Sequence, residues 1–313
     1  MDALSRLLSL YPLRTALDVR CHFRAPWVLE EEAAAPGIAP YHLIVAGSAW
    51  LDAAGEKGLA LQAGDIIVFP KGSAHRLHID GDGDGDGDGE LTPLRDLEGP
   101  QVVRLRGNDG NGPVTGILCG EFKFEPGASN VLLNALPAIV LVRTAGRPDF
   151  VGLQALMTML RVETEAMRPG ASAVVSQLSS ALFALVIRAW LEQADSRSGL
   201  LAVLAEERLQ ALMQAMLAAP EQAWTLQDMA TACHMSRATF ARLFRSAAGM
   251  TPATLLMQTR MAQAALWLAQ GKRTVGEIGE AVGYQSEAAF NRVFKKNFGI
   301  GPGQYRRNAR LPD

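Results

Sequence analysis

The side chains best suited to chemistry in this 313-residue chain are few: three cysteines and five histidines. Cys21, His22, His42, His75, His78 and Cys119 share the N-terminal half, while Cys233 stands apart beside His234 and reads as a small packing residue. Three chemistries are open to the first group. Two thiols brought together form a disulfide or a sulfenate under oxidants, provided that a thiol is reachable and readily ionised. Arg20, His22 and Arg24 beside Cys21 would favour its thiolate. Alternatively, Cys21 and Cys119 with two histidines, His42 and His75 foremost, would hold a tetrahedral Zn ion, since thiolate and imidazole ligands suit that metal. The third reading is structural: buried cysteines filling space beside histidines with satisfied hydrogen bonds.

A second concentration of chemistry is basic. Residues 205–313 carry 13 Lys and Arg against 8 Asp and Glu, a net of +5, which leaves −7 for the rest of a chain whose total is −2. A basic third on an acidic body is the asymmetry expected where one domain meets a polyanion.

The elements that must position these groups change character along the chain. Hydrophobic residues make up 49%, which excludes a largely disordered chain, and three cysteines cannot staple a secreted scaffold. From about Leu17 to Thr144, alternating stretches such as Ile66–Phe69 and Ile117–Phe122, punctuated by glycines, predict short strands of a sandwich or small barrel. Within them Asp80–Glu90 is an unbroken Gly-Asp alternation, expected as a solvated hairpin insertion. It lacks the apolar position of a calcium-binding β-roll repeat and the spacing of an EF-hand loop. After Arg147-Pro148 the spacing of Leu153, Leu156, Met157 and Leu160, then of Leu178, Leu182, Leu185, Val186 and Ala189, predicts two helices in a hairpin. Their apolar stripes would pack on the β domain or on a second copy. Ala181–Trp190, interrupted by Arg188, falls short of the roughly 20 residues of a membrane span. Met1–Arg6 lacks the pattern of a signal peptide, so the expected setting is the cytoplasm.

The C-terminal third repeats itself. Thr225-Leu226-Gln227-Asp228-Met229-Ala230 aligns with Thr274-Val275-Gly276-Glu277-Ile278-Gly279 at an offset of 49. One inserted residue later, Ser236, Phe240, Arg242, Phe244, Gly249 and Pro252 match Ser286, Phe290, Arg292, Phe294, Gly299 and Pro302. Each copy has a capping box, a turn and a second capped helix with a phenylalanine face, the grammar of a helix-turn-helix. The opposite face of that helix carries Ala238, Ala241, Arg242 and Arg245 in the first copy, and Ala288, Asn291, Arg292 and Lys295 in the second. Arginine bridges guanine O6 and N7, asparagine pairs with adenine, and alanine touches a thymine methyl. Lys296, Arg306, Arg307 and Arg237 suit phosphates better than bases. Between the copies, the stretch around Arg260–Leu268 is long enough for a rigid helix spacing two reading heads.

Residues 205–313 resemble the DNA-binding domain of the AraC/XylS family of transcription regulators. The resemblance runs through Gly249–Pro252, Arg260–Ala262, Val282–Ser286, Phe290–Lys296 and Phe298–Pro302 to Tyr305-Arg306. Gly279 and Gly301 are mild departures; glycine within a helix costs about 1 kcal/mol against alanine. Gly64-x5-Pro70-x-Gly72-x2-His75 likewise resembles the second motif of the cupin-type sensing domains carried by many members. The first cupin motif is missing, its ligand positions falling on Ala34, Pro36 and Pro40, and Ile79 stands where asparagine is usual. The three-His-plus-Glu iron centre of cupin enzymes therefore cannot form, which argues against a dioxygenase. The resemblance implies an α+β multidomain chain: a cupin-like β-barrel sensor (1–148), a helical hairpin (149–194) whose apolar stripes make it the expected dimer element, a linker (195–204) and an all-α double helix-turn-helix domain (205–313). It also implies promoter DNA and RNA polymerase as partners, activation of transcription, and a small molecule, metal or oxidant as signal, some members being oxidant-responsive with cysteines in such places. A cupin metalloenzyme fused to a DNA-targeting domain is the rival class.

Overall fold

The computed structural model describes residues 1–79, 91–98, 102–124, 130–166, 168–194 and 199–309. The Gly-Asp run at 80–90 and residues 195–198 of the expected linker lie outside the described residues. The chain divides into two compact units that do not follow its linear order. One comprises Leu13–Phe124 and Pro137–Ala194; the other comprises Met1–Pro12, Glu125–Leu136 and Asp195–Asp313.

In the first unit, strands β1 (Leu13–Arg24), β2 (Trp27–Glu31), β3 (Ile38–Ala46), β4 (Ser48–Ala53), β5 (Glu56–Gln62), β6 (Asp65–Val68), β7 (His75–Ile79), β8 (Arg95–Leu97), β9 (Arg104–Gly107), β10 (Val114–Phe124) and β11 (Val140–Arg143) form two sheets. Their orders are β11-β6-β3-β10-β1-β9-β8 and β2-β7-β4-β5. Between them lies a core that includes Phe23, Trp27, Ile44, Leu51, Phe69 and Leu77, each 0% exposed. This is the cupin-like barrel, and it settles why the strands alternate. In β1, Leu17, Val19, Cys21 and Phe23 are buried, while Asp18, His22 and Arg24 are exposed or nearly so.

The outer face of the larger sheet is covered by the expected hairpin, α3 (Val151–Ala166) and α4 (Ala171–Gln193). Leu153, Leu156, Met157 and Leu160 on α3 are all buried, as the helical spacing requires. On α4, Phe183 meets the rings of Phe122 and Phe124 at 5.0 and 5.3 Å, so the hairpin packs on the barrel. Helix α4 has the length and mean hydropathy to cross a membrane. Its Val175, Leu182, Val186 and Ile187 are instead buried within this unit, and Ser176 accepts a hydrogen bond from Thr15 through its carbonyl.

The second unit is helical. Helix α1 (Ala3–Leu10), capped by the Asp2 carboxylate on the Ser5 amide, packs on α6 (Gln210–Ala218) and α9 (Pro252–Gln270). Helix α2 (Val131–Ala135) packs on α5 (Gly199–Ala205). Two expectations are corrected here. Residues 199–205 are a helix with Leu200, Leu201 and Val203 buried, because an apolar run of that density cannot stay in solvent as a linker. Residues 1–12 and 130–136, read as part of the sensor, are built into the helical unit.

The repeat gives α7 (Leu226–Ala232) with α8 (Arg237–Ala248), and α10 (Val275–Ala281) with α11 (Glu287–Phe298), followed by α12 (Pro302–Asn308). Both capping boxes form, Thr225 with Asp228 and Thr274 with Glu277. The turns close identically, the Met235 amide donating to Ala230 and the Tyr284 amide to Gly279, each at 2.9 Å. The left-handed position in the turn is His234 (φ 54°) in one copy and Gly283 (φ 85°) in the other. Gly279 has a packing reason: a Cβ there would lie 3.1 Å from the Phe290 side chain, and the missing methyl lets that ring approach the helix.

Candidate functional site: a cysteine–histidine chain and two reading helices

Four residues read from sequence converge in the barrel. Strand β10 lies between β1 and β3, with Cys119 directly opposite His42 on one side and Val19 on the other. Cys21, two positions along from Val19, is Cys119's same-face diagonal neighbour. The sulfurs of Cys21 and Cys119 are 3.8 Å apart, and Cys119 Sγ is 3.1 Å from His42 Nδ1. His42 Nε2 then meets His75 Nε2 at 2.7 Å across the barrel, joining the larger sheet to the smaller. His75 Nδ1 lies 2.9 Å from the Ser73 carbonyl oxygen, and its ring stacks on Phe69 at 3.7 Å. The cupin-like turn explains that placement: Gly72, at φ 63°, sits where a Cβ would crowd the Ala34 and Ile38 carbonyls, and the chain reverses there to start β7 at His75.

The chain of contacts has a direction. A carbonyl oxygen only accepts, so His75 Nδ1 carries a proton and donates to Ser73. Burial pushes the pKa values of both His42 and His75 down, so both rings are neutral near pH 7. Neutral His75 therefore has a bare Nε2, and the shared proton sits on His42 Nε2. His42 Nδ1 is then bare and accepts from the Cys119 thiol, whose sulfur lies against that of Cys21. The Cys119 thiol is held protonated: the Cys21 hydrogen-bond partner and burial raise its pKa well above the usual value.

Two sequence expectations are corrected by this geometry. Arg20, His22 and Arg24 do not flank the Cys21 thiol, because strand alternation sends them to the opposite face; Arg20 pairs with Glu165 at 3.3 Å. The charged groups acting on Cys119 are Glu31 and Arg106, remote in sequence. The tetrahedral zinc site does not fit either. His42 uses opposite edges of its ring toward Cys119 and His75, so the four donors lie in a line rather than around a point. Among the described residues no three His, Cys, Asp or Glu side chains form a group able to hold a metal. His22 is exposed, His78 lies 3.5 Å from Asp52, and Cys233 is buried at the end of α7.

In the helical unit, Phe240 and Phe244 of α8 and Phe290 and Phe294 of α11 are 0% exposed. The opposite faces present the expected residues: Ala238, Arg242, Arg245, Ala288, Arg292, Lys295 and Lys296 are exposed, and Ala241 and Asn291 are half-buried. Arg237 and Arg307 are also exposed, but Arg306 donates to the Arg273 carbonyl at 2.6 Å and is tied to the unit itself. Helix α9, 19 residues and about 28 Å long at 1.5 Å per residue, joins the two heads. Its Arg260 donates to the carbonyls of Pro220 and Gln222 at 2.7 and 2.8 Å, a packing role that sequence reasoning did not assign.

A Cupin family profile matches residues 2–192, and a Helix-turn-helix domain profile matches residues 229–308. The chain is 30% identical to the RCS-specific HTH-type transcriptional activator RclR of Escherichia coli over 99% of both proteins. It is 34% identical to the HTH-type transcriptional regulator MtrA of Neisseria gonorrhoeae over 98% of both. A protein of Streptomyces lividans named as an AraC-like transcription regulator is 29% identical over the whole of both chains. The chain belongs to the AraC/XylS family of transcription regulators. As an AraC/XylS regulator it combines a DNA-binding helix-turn-helix region with a cupin domain suited to sensing. The relatives RclR and MtrA, which align over almost the whole chain, are named as regulators of transcription.

Proposed function

We propose that this regulator senses two-electron oxidants through Cys21 and Cys119 and couples their oxidation to binding of double-stranded promoter DNA in the cytoplasm. The observation that carries the reading is the 3.8 Å contact between the two sulfurs inside the sensor barrel. A disulfide needs about 2.05 Å, so oxidation draws β1 and β10 together by a distance that a packed sheet must register elsewhere. Connectivity supports an outlet for that strain. Leu13 and Phe124, paired at the far ends of the same two strands, lead along the chain to α1 on one side and toward α2 on the other, both in the helical unit.

The regulator acts as a homodimer and as an activator that engages RNA polymerase. Val151, Met159 and Val174, 66%, 47% and 43% exposed on the hairpin, supply the apolar surface for the second copy. No catalytic turnover is assigned to the barrel, and a cupin metalloenzyme would need a metal constellation that the line of donors does not supply.

Treatment with hypochlorous acid or hydrogen peroxide is expected to remove two hydrogens from the protein's mass, place the bond between Cys21 and Cys119 in peptide maps, and change affinity for promoter DNA. Unchanged DNA affinity in fully disulfide-bonded protein would refute the coupling, and a screen of small ligands against the recess lined by Ile44, Thr144, Met157 and Arg161 would follow.

The DNA surface makes its own prediction. Arg242→Ala and Arg292→Ala should each weaken binding to the specific site by ~1–3 kcal/mol, with little loss on random DNA. Lys296→Ala should weaken both alike and reduce the salt dependence. Fluorescence titrations at two salt concentrations separate these outcomes, and equal losses on both DNAs for the arginines would remove them as base readers.

A further inference from the structure

Beyond the cysteine pair itself, the barrel contains two histidines that a disulfide switch does not strictly require. We infer that His42 and His75 form a proton relay that takes the Cys119 proton when an oxidant attacks, making Cys119 the sulfur oxidised first and Cys21 the one that closes the bond. The inference rests on the oxidant-sensing reading above and adds to it a division of labour between the two thiols.

Three observations combine. The donor order, fixed at one end by the Ser73 carbonyl, leaves His42 Nδ1 as a bare acceptor 3.1 Å from Cys119 Sγ, within reach of the thiol proton. The 2.7 Å His42–His75 contact lets the arriving proton be compensated: as Nδ1 gains one, Nε2 can pass its own to His75. The positive charge then rests on His75, whose Nδ1–H already points at a carbonyl and whose face lies on Phe69. Access divides the thiols, for Cys119 is partly exposed whereas Cys21 is 2% exposed. A thiol held protonated by its surroundings is inert toward most electrophiles, and a base in contact with it supplies the ionised form at the moment of attack.

The step balances. With hypochlorous acid, the Cys119 sulfur takes the chlorine and the Cl–O bond breaks. The relay returns the Cys119 proton to the departing hydroxide, giving water. The Cys21 sulfur then displaces chloride, forming the S–S bond, and its proton leaves with the chloride as HCl. Two thiols are oxidised by two electrons in all, and the oxidant is reduced to chloride and water. A hydroperoxide follows the same course through a sulfenic acid on Cys119 and yields an alcohol and water.

The groups facing Cys119 are Cys21 on β1, Glu31 on β2, His42 on β3 and Arg106 on β9, with His75 on β7 one step behind. A pH series that compares the full chain with its histidine variants therefore reads the relay, since Glu31 and Arg106 are common to all of them. The measurement is the rate of iodoacetamide alkylation at Cys119, resolved by peptide mass, together with the rate of disulfide formation by hypochlorous acid. His42→Gln should slow both by about 100-fold, the size of a typical general-base contribution. His75→Asn, which leaves the Cys119 contact in place, should slow them less and shift the pH profile. Identical rates and profiles in wild type and both variants, with the wild type still forming the Cys21–Cys119 bond, would overturn the relay and leave the sensing reading intact. A wild type that forms no such bond would overturn the sensing reading instead. A third arm does not depend on the histidine variants folding. In Cys21→Ser protein treated with hydrogen peroxide, dimedone should label Cys119; in Cys119→Ser protein, Cys21 should stay unlabelled. The reverse pattern would assign first attack to Cys21 and overturn the inference.

Discussion

Phe290→Ala should remove one of the two DNA contacts and leave the other. Phe290 is 0% exposed and packs with Phe294 at 5.6 Å, Tyr284 at 5.8 Å and the open backbone of Gly279. Truncating a buried phenylalanine costs about 3–5 kcal/mol through lost burial and the cavity left behind. Against a whole-domain stability on the order of 5–15 kcal/mol, that is enough to populate a disordered second head. The first head has its own pair, Phe240 and Phe244 at 5.7 Å, in a separate helix-turn-helix with its own capping box. Footprinting should therefore show protection lost over one major-groove segment with Phe290→Ala and over the other with Phe240→Ala. Loss of both segments from either change would mean that the heads fold as one cooperative body through α9, and that independent readout is wrong.

What the sequence disclosed about this fold divides by range. The double helix-turn-helix was legible because its determinants are local. Thr225 with Asp228, Ser236 with the Thr239 amide, and the three- and four-residue spacing of the phenylalanines are all decided within one or two turns. The hairpin stripe and the buried His75 of the cupin-like turn were legible for the same reason. The His42–His75 contact was not, since 33 residues separate the partners and only the facing of two sheets brings them together. Reading Arg20, His22 and Arg24 as neighbours of the Cys21 thiol confused adjacency along a strand with adjacency on a face. Helix α1 did leave a signal, an Asp2 cap before Leu4, Leu7 and Leu10, as did the dense apolar run of α5. Their assignment to the DNA-binding unit had none, because it depends on surfaces of α6 and α9 formed far along the chain. The zinc reading failed on direction: spacing can suggest that four donors meet, but not that one histidine stands between the others.

Acid should loosen the reduced sensor over a pH range where most proteins are indifferent. His42 and His75 are buried neutral, and burial places both folded pKa values below the ordinary 6.5. The sign follows from proton counts. Below pH 6.5 the unfolded chain binds protons at these positions and the folded barrel does not, so stability is full above 6.5 and falls as pH drops toward the folded values. His42, shifted well below 6.5, should contribute about 1 kcal/mol between pH 6.5 and 5.5, with a smaller share from His75. Asp18, Glu31 and Asp65 oppose this. Burial raises their pKa values, so their linkage stabilises the fold on the acid side and is lost as pH rises through those raised values. Comparing wild type with His42→Gln cancels the carboxylates, which are common to both. Denaturant titrations of reduced protein at pH 7.5, 6.5 and 5.5, followed by the fluorescence of tryptophans that include the fully buried Trp27, should show a wild-type decline steeper by about 1 kcal/mol between 6.5 and 5.5. Parallel curves would mean that His42 carries a proton in the folded barrel. The donor order running from Ser73 to Cys119 would then have to be reversed, and with it the assignment of His42 as the base beside that thiol.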